Sequence, residues 1–161
     1  MKIQAVFLIF LALAAVAGAQ TKIAGAMQCS KPDPMHSINV GDRPGHAFSI
    51  SQSKCTWTKP VELCATQTKE DLVTGFNEIT GNSSRDRGVV VLTMASGEKA
   101  YVSTQGTATL KAGAVVANEG KWQFTSAGGK LKGLKGQGTY KCKSAGEGNT
   151  CEIEGEYQLP K

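Results

Sequence analysis

The chain has only two histidines, His36 and His46, among its 161 residues. A zinc site built from three histidines is therefore excluded, and we expect no metal centre and no cofactor. None of the many serines lies in the GxSxG pattern of a hydrolase nucleophile. Aromatic residues do not alternate with a basic stripe, so the sequence does not favour a nucleic-acid partner.

The N-terminal apolar run is shorter than the roughly 20 residues that a membrane-spanning helix needs. Residues 3–16 are apolar apart from Gln4, follow Lys2, and give way to the small residues at positions 17–19. This three-part pattern is typical of a secretory signal peptide and predicts cleavage before Gln20. We therefore assign residues 1–19 to a signal peptide and expect a secreted or periplasmic protein without a membrane anchor.

Helical periodicity is almost absent, and short segments instead alternate apolar with polar residues. In residues 119–140, for example, Trp122 and Phe124 share one face of a predicted strand. Eight or nine such segments at even spacing predict an antiparallel meander. Because a long open sheet exposes aggregation-prone edges, we predict an all-β fold, a closed antiparallel β-barrel of about eight strands.

We expect the barrel to occupy residues 35–161 as a single domain. Pro32 and Pro34 disfavour a regular ladder in residues 20–34, which we interpret as an irregular N-terminal arm. Glycines inside or beside predicted strands are unfavourable unless a bulge or bend uses them. The glycines that we expect to bend the barrel wall are Gly106, Gly120, Gly133, Gly136 and Gly138.

The five cysteines of an exported chain are expected to form disulfides. Cys142 and Cys151 flank a turn-like segment and face each other in a predicted hairpin. Cys55 and Cys64 flank a second turn in the same manner. Cys29 then remains as a free thiol or an intermolecular partner, or it displaces one member of the 55–64 pair.

Several stretches resemble bacterial secreted proteins of the allene oxide cyclase barrel type, which are related in fold to plant dirigent proteins. The stretches are HSINVGDRPGHAFSISQSKCTW, GEKAYVSTQGTATL, GKWQF, GGKLKGLKGQGTY and EGEYQL. The resemblance implies an eight-stranded antiparallel barrel. Its relatives include a cyclase of unsaturated fatty-acid epoxides and proteins that steer radical coupling without chemistry of their own. The cyclase's catalytic residues do not map onto this chain, so its activity is not carried over.

Aromatic side chains from different strands are expected to converge in the barrel interior, where small-molecule pockets are mostly apolar with a few polar anchors. The predicted ligand contacts are His46, Phe48, Tyr101, Trp122 and Tyr140. Our leading hypothesis is a non-enzymatic protein that binds a small apolar or amphipathic molecule.

Two alternatives remain open at this point. One is a cyclase or isomerase at the barrel mouth that uses His46 with Asp42 or Glu78 as acid and base. The other is an envelope interaction module or homo-oligomer that uses the outer barrel wall.

Two further patterns favour ordinary surface roles. The GGKLKGLKGQG segment offers lysines and backbone donors to an anion, but a strand follows it instead of a helix N-terminus. Its lysines are therefore expected to be solvated. Glu152, Glu154 and Glu156 fall on one face of the last strand, and three like charges in a row favour an outer face rather than a glycosidase pair.

Overall fold

The computed structural model describes residues 20–159, which form ten β-strands and one short 3-10 helix at Gly129–Leu131. The predicted signal peptide lies outside the described residues. The strands are β1 Thr21–Cys29, β2 Met35–Asn39, β3 His46–Lys59, β4 Glu62–Leu63, β5 Thr66–Thr80, β6 Ser83–Met94, β7 Lys99–Lys111, β8 Ala114–Ala127, β9 Lys135–Ala145 and β10 Gly148–Gln158. No helix in this part of the chain is long and apolar enough to cross a membrane.

Eight of the strands close into an antiparallel barrel, which confirms the predicted fold. Strands β5 to β10 pair in chain order as a meander. Strand β1 then lies between β10 and β3, with Met27 opposite Cys151 on one side and Trp57 on the other. The pairing of β3 with β5 completes the ring. The two short strands outside the ring pair with its members, β2 with β3 and β4 with β5.

The N-terminal segment is not the irregular arm that the sequence predicts. Thr21–Cys29 forms a strand that closes the barrel, so the domain begins at β1 and the boundary predicted at residue 35 is wrong. The two prolines lie after this strand, in its connection to β2. There the backbone N–H of Asp33 donates to the carbonyl of Gln52 (2.7 Å), so the connection stays hydrogen-bonded to β3.

The preferred Cys55–Cys64 disulfide is wrong, and the alternative in which Cys29 displaces one member of that pair is confirmed. Cys142 and Cys151 are bonded across β9 and β10, as the sequence predicts, but Cys55 is bonded to Cys29 and Cys64 is free. The reason is the unforeseen strand β1, which places Cys29 directly opposite Cys55 on β3. Two disulfides indicate an oxidising, extracytoplasmic environment.

The disulfide assignment predicts different effects for two cysteine substitutions. Cys29→Ser should lower the free energy of unfolding by about 3 to 4 kcal/mol, because the bond closes a 26-residue separation. Cys64→Asn should change it by less than about 0.5 kcal/mol, because asparagine tolerates the positive φ of 54° at this turn. Urea unfolding of both variants measures the difference. Equal losses would contradict the assignment.

A compact apolar cluster closes one end of the barrel, which we call the floor. It is formed by Val61, Leu63, Leu92, Met94, Ala100, Leu131 and Leu134. Leu131, at the end of the 3-10 helix, is fully buried, and the hydrophobic effect holds this helix against the strands. The neighbouring Lys130, Lys132 and Lys135 are exposed. The opposite end, which we call the mouth, carries the turns that follow β7 and β9.

Candidate functional site: the barrel lumen

A cavity of about 690 Å³ runs inside the barrel above the floor. Its lower wall is mainly apolar, with side chains such as Val90, Leu92, Val102 and Phe124, although Asp71 also lies there, opposite Leu92. Its upper wall, toward the mouth, carries hydroxyl, amide and carboxyl groups. These polar residues are Ser49, Ser51, Ser53, Asn77, Ser84, Asp86, Thr104, Asn118 and Ser144. The lumen is therefore amphipathic along its length.

Glycines on the inner wall make room for the large aromatic rings. A Cβ atom at Gly138 would lie 2.7 Å from the indole nitrogen of Trp122, and one at Gly155 would lie 2.5 Å from the same ring. A Cβ at Gly120 would lie 2.7 Å from the Tyr140 hydroxyl. The rings therefore lie along the barrel wall over glycine positions, which leaves the centre of the lumen open.

This role differs from the bending role that the sequence predicts for the five glycines. Only Gly133 has a positive φ, of 81°, and it lies in the turn before β9. The register shifts that mark bulges lie elsewhere, at Ala26/Met27, Thr68/Glu70, Tyr101/Val102 and Thr109/Leu110. In the strands, the absence of a side chain matters more than backbone freedom.

Tyr140 crosses the inner wall from β9 to reach Asp86 on β6. Its hydroxyl donates to Asp86 Oδ2 at 2.9 Å. Burial raises the pKa of Asp86, while the hydrogen bond from Tyr140 and the neighbouring Asn118 amide oppose that effect. Burial and the nearby Asp86 carboxylate raise the pKa of Tyr140, so the phenol stays neutral. The pair places one hydrogen-bonded acid in the polar half of the lumen.

Asp71 is a second acid on the inner wall and is more deeply buried, with 5% of its surface exposed. The Trp57 indole N–H donates to Asp71 Oδ1 at 2.9 Å. Burial raises the pKa of Asp71 to about 7, although the hydrogen bond from Trp57 acts in the opposite direction. The carboxyl therefore gains or loses its proton near neutral pH.

The predicted contact residues divide between the two faces of the wall. Trp122 and Tyr140 are buried and line the lumen. Phe48 and Tyr101 lie on the outer face, with 37% and 39% of their surfaces exposed, so they do not converge with the first two. On β3 the serine face points inward and the Phe48 face points outward. The outward Phe48 ring stacks on Phe76 at 5.6 Å between centroids.

His46 also lies on the outward side of β3, beside Phe48. Its Nδ1 is 2.6 Å from Asp42 Oδ1, and its Nε2 is 3.5 Å from Glu78 Oε1. Both carboxylates named in the enzyme alternative are thus its neighbours. The imidazole is nevertheless absent from the lumen wall. Among the described residues, no group of three His, Cys, Asp or Glu side chains is arranged to hold a metal ion.

Sequence reasoning missed Asp71, Asp86, Asn118 and Trp57 as lumen residues. A signal for Asp86 was present, because the inward alternation of Val90 and Leu92 continues back along β6 to position 86. Asp71 lies two residues before the inward-facing Val73 on β5, so alternation would also place it inward. The polar residues 69–71, however, resemble a turn in the sequence and hide this position. The glutamates of β10 lie on the outer face, where Glu156 forms a salt bridge with Lys22 at 2.6 Å.

No protein-family model matches the chain, and no curated protein matches it in sequence. Solved structures do match it in fold. The pterocarpan synthase dirigent protein GePTS1 superposes with a TM-score of 0.52 at 9% identity, over 97% of this chain and 100% of that chain. A DUF3224-family protein of unknown function from Shewanella oneidensis MR-1 superposes with a TM-score of 0.51 at 14% identity, over 89% of this chain and 99% of that chain. The protein therefore has a barrel fold similar to that of a dirigent protein and a DUF3224 protein.

Proposed function

We propose that the protein is an exported, non-enzymatic barrel that binds one small amphipathic molecule in its lumen. The observation that carries this proposal is the open cavity of about 690 Å³, which is polar at the mouth and apolar toward the floor. Ligand pockets typically measure about 300 to 1,000 Å³ and are lined mainly by apolar and aromatic side chains. The apolar part of the ligand lies toward Phe124 and its polar part toward the mouth.

Binding is a better explanation than catalysis for this arrangement. Within the described chain, the lumen wall carries no histidine and no free cysteine. His46, the residue on which the enzyme alternative depends, is on the other side of β3. Asp71 and Asp86 are each held by a hydrogen bond from a neighbouring aromatic side chain. Such fixed acids suit the orientation of a bound polar group.

Fluorescence tests the proposal, because both tryptophans of the chain, Trp57 and Trp122, line the lumen. Titration with a panel of lipids and phenols should give a saturable change in emission. Val90→Phe places a ring on the inner wall and should reduce the affinity about tenfold or more by filling the binding space. The neighbouring Val89 is 54% exposed on the outer face, so Val89→Phe is a matched control that should leave binding intact.

The proposal fails if no member of the panel gives a saturable response. It also fails if Val89→Phe and Val90→Phe weaken binding equally, because the ligand then lies outside the lumen.

Self-association is a second proposal, supported by the outer wall. Exposed apolar side chains on neighbouring strands form one surface, made of Ile38, Phe48, Ile50, Phe76 and Val89. The Arg87 guanidinium lies 5.9 Å above the Phe76 ring. Contiguous apolar surface of this kind marks interaction sites on soluble proteins. Light scattering across a dilution series measures whether copies associate.

A further inference from the structure

Among the residues that the structure describes, the charged groups on the inner wall all have the same sign. Asp71 on β5 and Asp86 on β6 both face inward and line the lumen. Arg87 also borders the cavity, but its guanidinium lies over Phe76 on the outer face. At the mouth, the exposed Lys31 and Glu147 have opposite charges. A ligand that enters the lumen therefore meets acidic groups.

Asp86 is the acid that lies among polar neighbours. Asp71 already accepts the Trp57 indole N–H and packs beside the Cys29–Cys55 disulfide, since it is directly opposite Cys55. Asp86 instead faces Asn118 and the Tyr140 hydroxyl. In the described part of the chain, Asp86 Oδ1 and Asn118 Oδ1 are buried without a hydrogen-bond partner. Buried oxygens without partners are costly, and a donor group brought by a ligand would remove that cost.

The aromatic residues of the lumen strengthen the same preference. Trp122 and Tyr140 both line the cavity, and the Tyr140 hydroxyl reaches Asp86 directly. The face of an aromatic ring attracts a cation, and the attraction grows when water is excluded. A carboxylate beside aromatic faces is an arrangement that recognises organic ammonium groups.

We propose that the lumen selects an amphipathic molecule with an ammonium head, which Asp86 binds, and an apolar body that lies toward the floor. This inference rests on the proposed ligand-binding function and specifies the chemical class of the ligand. Carboxylate amphiphiles such as fatty acids are disfavoured, because their charge is brought beside buried acids, and residues 20–159 place no inward-facing cation there to balance it. An ammonium group near Asp86 favours the ionised carboxylate.

Three probes of equal chain length test the charge preference: n-decylamine, n-decanol and n-decanoate, each titrated below its micelle concentration at neutral pH. Calorimetry and tryptophan fluorescence both report binding. We expect decylamine to bind at least about tenfold more tightly than decanoate, the size of a hydrogen bond to a charged group, with decanol between them. Asp86→Asn should weaken decylamine binding about tenfold and decanol binding much less, because the amide oxygen can still accept a hydrogen bond from a hydroxyl group. The side-chain oxygen of asparagine can still accept the hydrogen bond from the Tyr140 hydroxyl.

Glu119→Gln is the matched control, because Glu119 is exposed on the outer face next to Asn118 and carries the same charge. It should leave all three affinities unchanged. Equal or reversed affinities of decylamine and decanoate overturn the ammonium inference, whereas saturable decanol binding still supports the proposed function. Failure of all three probes to bind overturns both. If Asp86→Asn does not fold, the wild-type ranking of the probes decides between these outcomes.

Discussion

Replacing Gly138 by alanine is expected to lower the free energy of unfolding by about 3 kcal/mol, at the upper end of the usual cost of overpacking. The added Cβ would collide with the backbone of β10 and lie 2.7 Å from the Trp122 indole nitrogen. That nitrogen donates to the carbonyls of Thr139 (3.2 Å) and Glu154 (3.1 Å), and a displaced ring cannot keep both bonds. Urea unfolding gives the loss of stability, and tryptophan emission reports the displacement.

Gly75→Ala is the matched control. Gly75 also lies inside a strand on the lumen wall, but the atoms nearest to its added Cβ, in Asn77 and Ser51, are 3.8 Å away. This variant should be neutral, or more stable by up to about 1 kcal/mol, because alanine loses less backbone entropy than glycine. If the two alanine variants are equally stable, the glycines do not serve to accommodate the aromatic rings.

Stability is expected to fall as the pH rises from 5 to 8, and Asp71→Asn should remove most of that fall. Burial raises the pKa of Asp71 from 3.8 to about 7 in the folded protein. Between these values the folded state binds a proton that the unfolded state has lost, so stability is highest at low pH and decreases until about pH 7. The loss between pH 5 and 8 should be about 2 to 3 kcal/mol.

Other groups contribute to the pH profile, and the comparison with Asp71→Asn isolates this one. Burial also raises the pKa of Asp86, which adds a decrease of the same sign that remains in the variant. A hydrogen bond with His46 lowers the pKa of the exposed Asp42, and one from the Lys130 backbone lowers the pKa of the exposed Glu98. Their contributions to the pH dependence of stability have the opposite sign and occur at pH values below 5. Guanidinium unfolding at several pH values gives both curves. Parallel curves for the wild type and Asp71→Asn would contradict the assignment.

The closed barrel was predictable because period-two alternation and evenly spaced turns recur from β5 to β10. Alternation also divides β3 correctly into two faces. It does not say which face points inward, and the usual rule of apolar residues inside fails here. The upper lumen is lined by serines, while Phe48 and Ile50 face outward. A partly polar interior therefore reversed the assignment of the two predicted contacts on β3, His46 and Phe48.

Strand β1 was not predictable by the same argument. Its residues are mostly small, and Gly25 and Ala26 give little contrast between the two faces. The missed strand also explains why the sequence favours the wrong partner for Cys55. Without β1, Cys29 has no predicted neighbour, whereas Cys64 lies across a predicted turn from Cys55. Cys64 and Ala65 form the turn instead, at φ values of 54° and 62°, without the glycine or asparagine that usually marks such a turn.

The most direct test that the ligand binds in the lumen is a titration with decanol, followed by nuclear magnetic resonance of the two indole N–H groups. Both groups lie on the lumen wall, hydrogen-bonded to Asp71 in one case and to backbone carbonyls in the other. If the ligand binds in the lumen, the Trp57 and Trp122 indole signals shift saturably and the backbone amide signal of Phe76 does not change. Shifts confined to Phe76 and its outer-face neighbours, with both indole signals unmoved, would contradict binding in the lumen.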